Sequence, residues 1–133
     1  MKYMLDTNIC IYAMKNKSAI VAEKIKEIST AEICISVITF SELLHGVYKS
    51  VNKKKNSSAL MQFLTGVEIL QFNADAAEEY GKICAYLENQ GKVIGTMDML
   101  IAAHALSENL TIVTNNVREF ERVPNLQIEN WSE

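Results

Sequence analysis

Proline is almost missing from this chain of 133 residues, and the one present, Pro124, stands close to the C-terminus. Proline-rich linkers are thereby excluded, and with no low-complexity segment or long internal repeat the expectation is one domain spanning residues 1–133. Cysteine is also sparse. Cys10, Cys34 and Cys84 are odd in number and form no CxxC pair, which argues against a disulfide framework and against a thiolate zinc site and leaves three buried small hydrophobes as the reading. No apolar run approaches transmembrane length, and Asp6 and Asn8 interrupt the N-terminus before the core of a secretory leader could develop. The expected setting is cytoplasmic, without a membrane. Positive charge is in deficit, with 13 basic against 16 acidic residues and a net charge of −3, so the field of the whole molecule would not draw a polyanion to its surface. A polyanionic substrate would need a local positive source, either a patch such as Lys53, Lys54 and Lys55 or a cation bound among acidic side chains, and the composition favours the cation.

Hydrophobic residues make up 49% of the chain and fall into short runs separated by helical patterns. Residues 2–5, 33–36, 67–72 and 110–114 read as strands, with 126–128 as a further edge strand. A first helix is expected after Asp6, with Ile9, Tyr12 and Ala13 inward, ending where Lys15, Asn16 and Lys17 break the pattern. Further helices are expected over 18–28, 37–49, 56–64, 74–90 and about 97–107. The 37–49 helix should present Val37, Phe40, Leu44 and Val47 to the core, and the 74–90 helix should be capped by Asn73 or Asp75 and end at Gly91. Strands alternating with helices predict an α/β fold with a mostly parallel central sheet covered by helices on both faces. In such a sheet the carboxyl ends of the strands open onto one edge, where residues remote in sequence converge.

Three acids stand at such positions. Asp6 follows the apolar Met4 and Leu5, Glu42 lies between Phe40 and Leu43, and Asp98 is set among Met97, Met99, Leu100 and Ile101 with no Lys or Arg three or four positions on. Each alone has an ordinary structural explanation, because Asp at a strand-to-helix junction usually caps the helix and an acid in a first turn is favoured by the helix dipole. Together they are costly to bury unpaired, and a shared cation relieves that cost. Oxygen-only donors select Mg²⁺, for which Mn²⁺ can substitute, and such a cation activates water and neutralises charge at a phosphodiester.

The segments Met4-Leu5-Asp6-Thr7-Asn8-Ile9, Ser41-Glu42-Leu43-Leu44-His45-Gly46, Ile94 to Leu106 around Asp98, and Val113-Thr114-Asn115-Asn116-Val117-Arg118-Glu119-Phe120 resemble, in this order, the PIN-domain ribonucleases, and among them the VapC-type toxins of bacterial type II toxin–antitoxin pairs. The resemblance covers essentially the whole chain and implies a single PIN-like domain. It implies an acidic pocket of Asp6, Glu42 and Asp98, with Asp6 and Asp98 as direct Mg²⁺ ligands and Glu42 acting through water. The fourth acid is where this chain departs from many relatives, which carry Asp where Asn116 stands here. Glu119 is the favoured catalytic replacement, with Asn116 and Thr114 orienting its neighbours, and Thr7 and Asn8 supporting the first turn beneath Asp6. The resemblance further implies an endoribonuclease that cuts structured RNA, often in a tRNA anticodon loop, and initiator tRNA for the enteric-type members that this chain resembles. It also implies a homodimer and a cognate VapB-type antitoxin.

Other residues are assigned more plainly. His45 and His104 have no zinc-motif spacing and are read as helix-packing residues. Lys53 to Lys55 are a solvated loop or helix start, Arg118 and Arg122 are the better candidates for RNA phosphate contacts, and Trp131 packs or supports a dimer. Met14, Met61, Met97 and Met99 fill core or interface, with Thr96 and Met97 bearing on substrate fit. Two competing readings remain at this stage. In one the acids are structural and the protein is a non-catalytic module that binds RNA or a partner; in the other the substrate is DNA or a phosphomonoester.

Overall fold

In the computed structural model, which describes residues 1–15 and 17–132, a short polar side chain opens each of the first five α-helices. Asp6 caps α1 (Thr7–Met14), Ser18 caps α2 (Ala19–Glu27), Ser36 caps α3 (Val37–Lys49), Asn52 caps α4 (Lys53–Phe63) and Asn73 caps α5 (Ala74–Gln90), each accepting a backbone N–H from the opening turn. The α5 helix stops at Gly91, whose φ of 66° lets the Lys92 N–H turn back onto the Leu87 carbonyl at 2.9 Å. Two further helices, α6 (Thr96–Ser107) and α7 (Val117–Phe120), begin without a side-chain cap. Asn16, one of the residues expected to break the first helix, lies outside the described residues.

The strands β1 (Tyr3–Leu5), β2 (Ile33–Ser36), β3 (Glu68–Leu70), β4 (Thr111–Val113) and β5 (Ile128–Glu129) form one sheet in the order β3-β2-β1-β4-β5, and every pairing is parallel. Alternation along the strands divides the core in two. Met4, Cys34 and Ile112 face one cluster with Ile83 and Leu87 of α5 and Met99 and Ala102 of α6. Leu5, Ile33, Ile35 and Val113 face the other, with Ile9 of α1, Val21 of α2, Leu43 of α3 and Leu60 of α4. Helices therefore cover both faces, and strands buried on both sides account for the nearly continuous apolar runs in the sequence. The chain moves outward from β1 to β3 and then returns to lay β4 on the other side of β1. Pairing of Leu5 with Val113 sets the next residues, Asp6 and Thr114, side by side where the strand order reverses.

Several expectations about faces and ends are corrected. The α4 helix begins at Lys53, ahead of the expected Asn56, because Asn52 supplies the cap, and the three lysines form its exposed first turn. In α3 the buried residues are Thr39, Leu43 and Val47, whereas Val37, Phe40 and Leu44 are half-buried. Ile38 packs against one core cluster and Phe40 and Leu44 against the other, so the helix is wedged between both instead of laying one stripe on the sheet. In α1 the buried pair is Ile9 and Cys10, with Tyr12 and Ala13 only half-buried. Cys84 is half-buried beside Met99, with its Sγ 3.7 Å from the thioether sulfur, so two of the three cysteines are core residues.

Candidate active site

Asp6 is 3% exposed and carries two tasks on two oxygens. Oδ1 accepts the Ile9 N–H at 2.9 Å as the cap of α1, and Oδ2 accepts the Thr114 hydroxyl at 2.5 Å. A carboxylate offers about four lone-pair directions, so these bonds leave acceptor capacity on the open side. Structural cap and functional acid are thus compatible in one residue.

Glu42, one turn and a half into α3, is half-buried and accepts the Thr7 hydroxyl at 2.6 Å; Thr7 also lies 3.5 Å from the buried Thr39 hydroxyl. Thr7 therefore supports the site by holding Glu42. Asn8 is exposed and has no side-chain hydrogen bond among the described residues, so the supporting role expected of it is not seen. Asp98, in the first turn of α6, and Glu119, in α7, are bridged by one neutral donor: Asn116 Nδ2 lies 3.3 Å from Asp98 Oδ2 and 3.3 Å from Glu119 Oε2. The Asn116 N–H in turn donates to Thr114 Oγ1 at 2.9 Å. Thr114 and Asn116 thus link Asp6, Asp98 and Glu119 through one run of hydrogen bonds.

The electrostatics combine burial with like charges held together. Burial pushes Asp6 up to about 6, against the pull of its bonds from Thr114 and Ile9, and the nearby Asp98 and Glu42 push the same way. Burial likewise raises Asp98 to about 6, with Glu119 and Glu42 adding to it and the Asn116 amide opposing. Among the described residues the ion pair present is Lys82 with Glu79, far from this edge in sequence, so no Lys, Arg or His neutralises the four acids. A module with purely structural acids accounts for Asp6 at its cap but not for Glu42, Asp98 and Glu119 converging on it without a counter-charge. Among the described residues no three of the His, Cys, Asp and Glu side chains stand close enough together to hold a metal ion by themselves. The donor set is all oxygen, anionic and mutually repelling, which fits a hard divalent cation that retains part of its water shell.

Arg118 is exposed on α7, while Arg122 is half-buried and donates to the Val93 carbonyl at 3.3 Å, tying the end of α7 to the segment before α6. Met97, adjacent to Asp98, is 47% exposed and Thr96 is exposed, whereas Met99 is core. His45 is exposed, contrary to the packing role expected of it, because the buried face of α3 runs through Thr39, Leu43 and Val47. His104 does pack: it is fully buried, with Nδ1 2.7 Å from Ser36 Oγ and its ring edge-on to Phe72 at 5.4 Å. The sequence does not show this Ser36–His104 contact, since a serine ending an apolar strand signals only the cap of the helix that follows. Trp131 is buried edge-on to Tyr3 at 5.0 Å, and its indole N–H donates to Glu129 at 3.0 Å. No helix is long and apolar enough to cross a membrane among the described residues.

Residues 3–126 match the PIN domain. The chain is 45% identical over 132 residues, 99% of each chain, to the tRNA(fMet)-specific endonuclease VapC of Shigella flexneri, and 46% identical over 132 residues, 98% of each, to ribonuclease VapC2 of Rickettsia felis. Among solved structures, the Rickettsia felis VapBC2 complex bound to a promoter DNA fragment superposes with a TM-score of 0.92 at 44% identity, covering 98% of this chain and 99% of that one. DNA-bound VapBC from Salmonella typhimurium gives 0.93 at 42% identity, with 98% of each chain covered. The chain belongs to the PIN-domain family and, within it, to the VapC ribonucleases.

Proposed function

We propose that this protein is a Mg²⁺-dependent endoribonuclease toxin that cleaves a structured RNA, a tRNA anticodon stem-loop, with initiator tRNA as the first candidate. The observation that carries the reading is the meeting of Asp6, Glu42, Asp98 and Glu119 at one sheet edge with no ion pair to any of them among the described residues. Asp6 and Asp98 are the direct ligands of the cation, Mn²⁺ being able to replace Mg²⁺. When bound, the cation supplies Lewis acidity at a phosphoryl oxygen and lowers the pKa of a coordinated water. Glu42 acts through water and Glu119 completes the acidic set; a carboxylate beside the attacking water can accept its proton. Thr114 and Asn116 hold Asp6, Asp98 and Glu119 in register. Arg118 is the exposed candidate for a phosphate of the RNA, whereas Arg122 reaches it only by leaving the Val93 carbonyl.

The initiator-tRNA candidate is supported by the Shigella flexneri relative, which is named as tRNA(fMet)-specific. A VapB-type antitoxin partner is supported by the VapBC complexes among the similar structures. A homodimer completes the proposal. Comparative cleavage of RNA, single-stranded DNA and a small phosphate ester in Mg²⁺ tests the substrate class. Turnover of RNA alone supports the reading, and turnover of the ester alone removes it.

A further inference from the structure

His104 lies outside the reacting set, yet it joins the two helices that carry Asp98 and Glu42. It stands six residues after Asp98 in α6, and the hydroxyl it touches, Ser36, stands six residues before Glu42 at the start of α3. Each acid is therefore about 9 Å along a stiff helix from the same contact. Ser36 and His104 are both completely buried. Ser36 Oγ accepts the Ile38 N–H at 3.0 Å and lies 2.7 Å from His104 Nδ1, so its own proton is free to go to the imidazole. Burial holds the imidazole below its ordinary pKa, and in the neutral ring Nδ1 accepts from Ser36 in the tautomer that carries its proton on Nε2. The ring is fixed edge-on against Phe72, at an interplanar angle of 73°.

The other nitrogen, Nε2, is buried with no partner at good hydrogen-bond geometry among the described residues, and the Gln71 backbone bonds the ring only weakly. A buried polar atom so poorly paired is unfavourable, and a leucine would fill similar space without one. Packing alone therefore does not account for an imidazole here; what the imidazole adds is the bond from Nδ1 to the cap of α3. We propose that His104 is a positioning residue, which through Ser36 fixes α3 against α6 and so sets Glu42 relative to Asp98. The inference rests on the metal-site reading given above.

The test is the affinity for Mn²⁺, measured by calorimetric titration of the full chain at a temperature where circular dichroism finds every variant folded. His104→Leu should bind Mn²⁺ about tenfold more weakly than wild type, the scale on which residues that orient metal ligands act. His104→Asn places an amide oxygen near the position of Nδ1 and should recover most of the loss. Ser36→Ala should weaken binding as His104→Leu does, and the double variant should be no worse than the weaker single one. A purely structural role lowers the melting temperature and leaves the affinity of the folded protein unchanged. Wild-type affinity in folded His104→Leu, or losses that multiply in the double variant, overturns the inference alone. No Mn²⁺ binding by wild type removes the metal-site reading and the inference with it. Should His104→Leu not fold, Ser36→Ala must still weaken binding and His104→Asn must not.

Discussion

Thr114 donates its hydroxyl to Asp6 at 2.5 Å, across the point where the sheet reverses its strand order. Residues 108 positions apart are thus joined at the centre of the acidic edge, and the bond opposes the burial that raises the Asp6 pKa. A hydrogen bond to a charged group contributes about 1.5–3 kcal/mol, or about one to two pKa units. Thr114→Val should therefore raise the Asp6 pKa further and move the acidic limb of the RNA-cleavage pH profile upward by about one unit, while Thr114→Ser keeps the wild-type profile. The pH dependence of kcat/KM checks both, and an unshifted profile in Thr114→Val would show that the hydroxyl does not tune Asp6.

Crowded acids also link stability to pH. Asp6 and Asp98 move from an ordinary 3.8 to about 6 on folding, so between those limits the folded state binds more protons than the unfolded state. Their contribution to metal-free stability is greatest at the acidic end, falls as pH rises through that window and is a constant cost above it. The difference in melting temperature between Asp98→Asn and wild type should therefore favour the variant at about pH 7 and shrink toward about pH 5. Saturating Mg²⁺ should raise the melting temperature of wild type more than that of Asp98→Asn. Equal melting temperatures at every pH, with and without metal, would mean that neither burial nor mutual repulsion raises these acids on folding.

Asn116 acts as a donor, bonded at 3.3 Å to both Asp98 and Glu119. If Glu119 is the fourth carboxylate, Glu119→Gln should lower kcat by about a hundredfold and Asn116→Ala by about tenfold. Single-turnover cleavage separates the two, and the reverse order would assign the fourth site to Asn116.

Much of this arrangement was legible before the structure. Capping residues and apolar periods placed α3 and α5 to the residue, and Asp6 and Asp98 could be sited because each adjoins a strand or helix end. Faces were harder to read, because burial on both sides erases a clean stripe. Thus α3, wedged between two core clusters, buries Thr39 and Leu43 where its pattern suggested Val37 and Leu44. The bond from Thr7 to Glu42 and that from His104 to Ser36 span 35 and 68 residues, and no local spacing encodes such pairings.

Whether these acids hold a cation for RNA cleavage is decided by incubating a labelled total tRNA pool with wild type and with Asp98→Asn, each in Mg²⁺ and in EDTA. The substitution is nearly isosteric and removes one negative charge, so the fold should persist while the cation is lost. Discrete products from wild type in Mg²⁺ alone are the predicted result. Equal cleavage by folded Asp98→Asn, or by wild type in EDTA, would contradict the account.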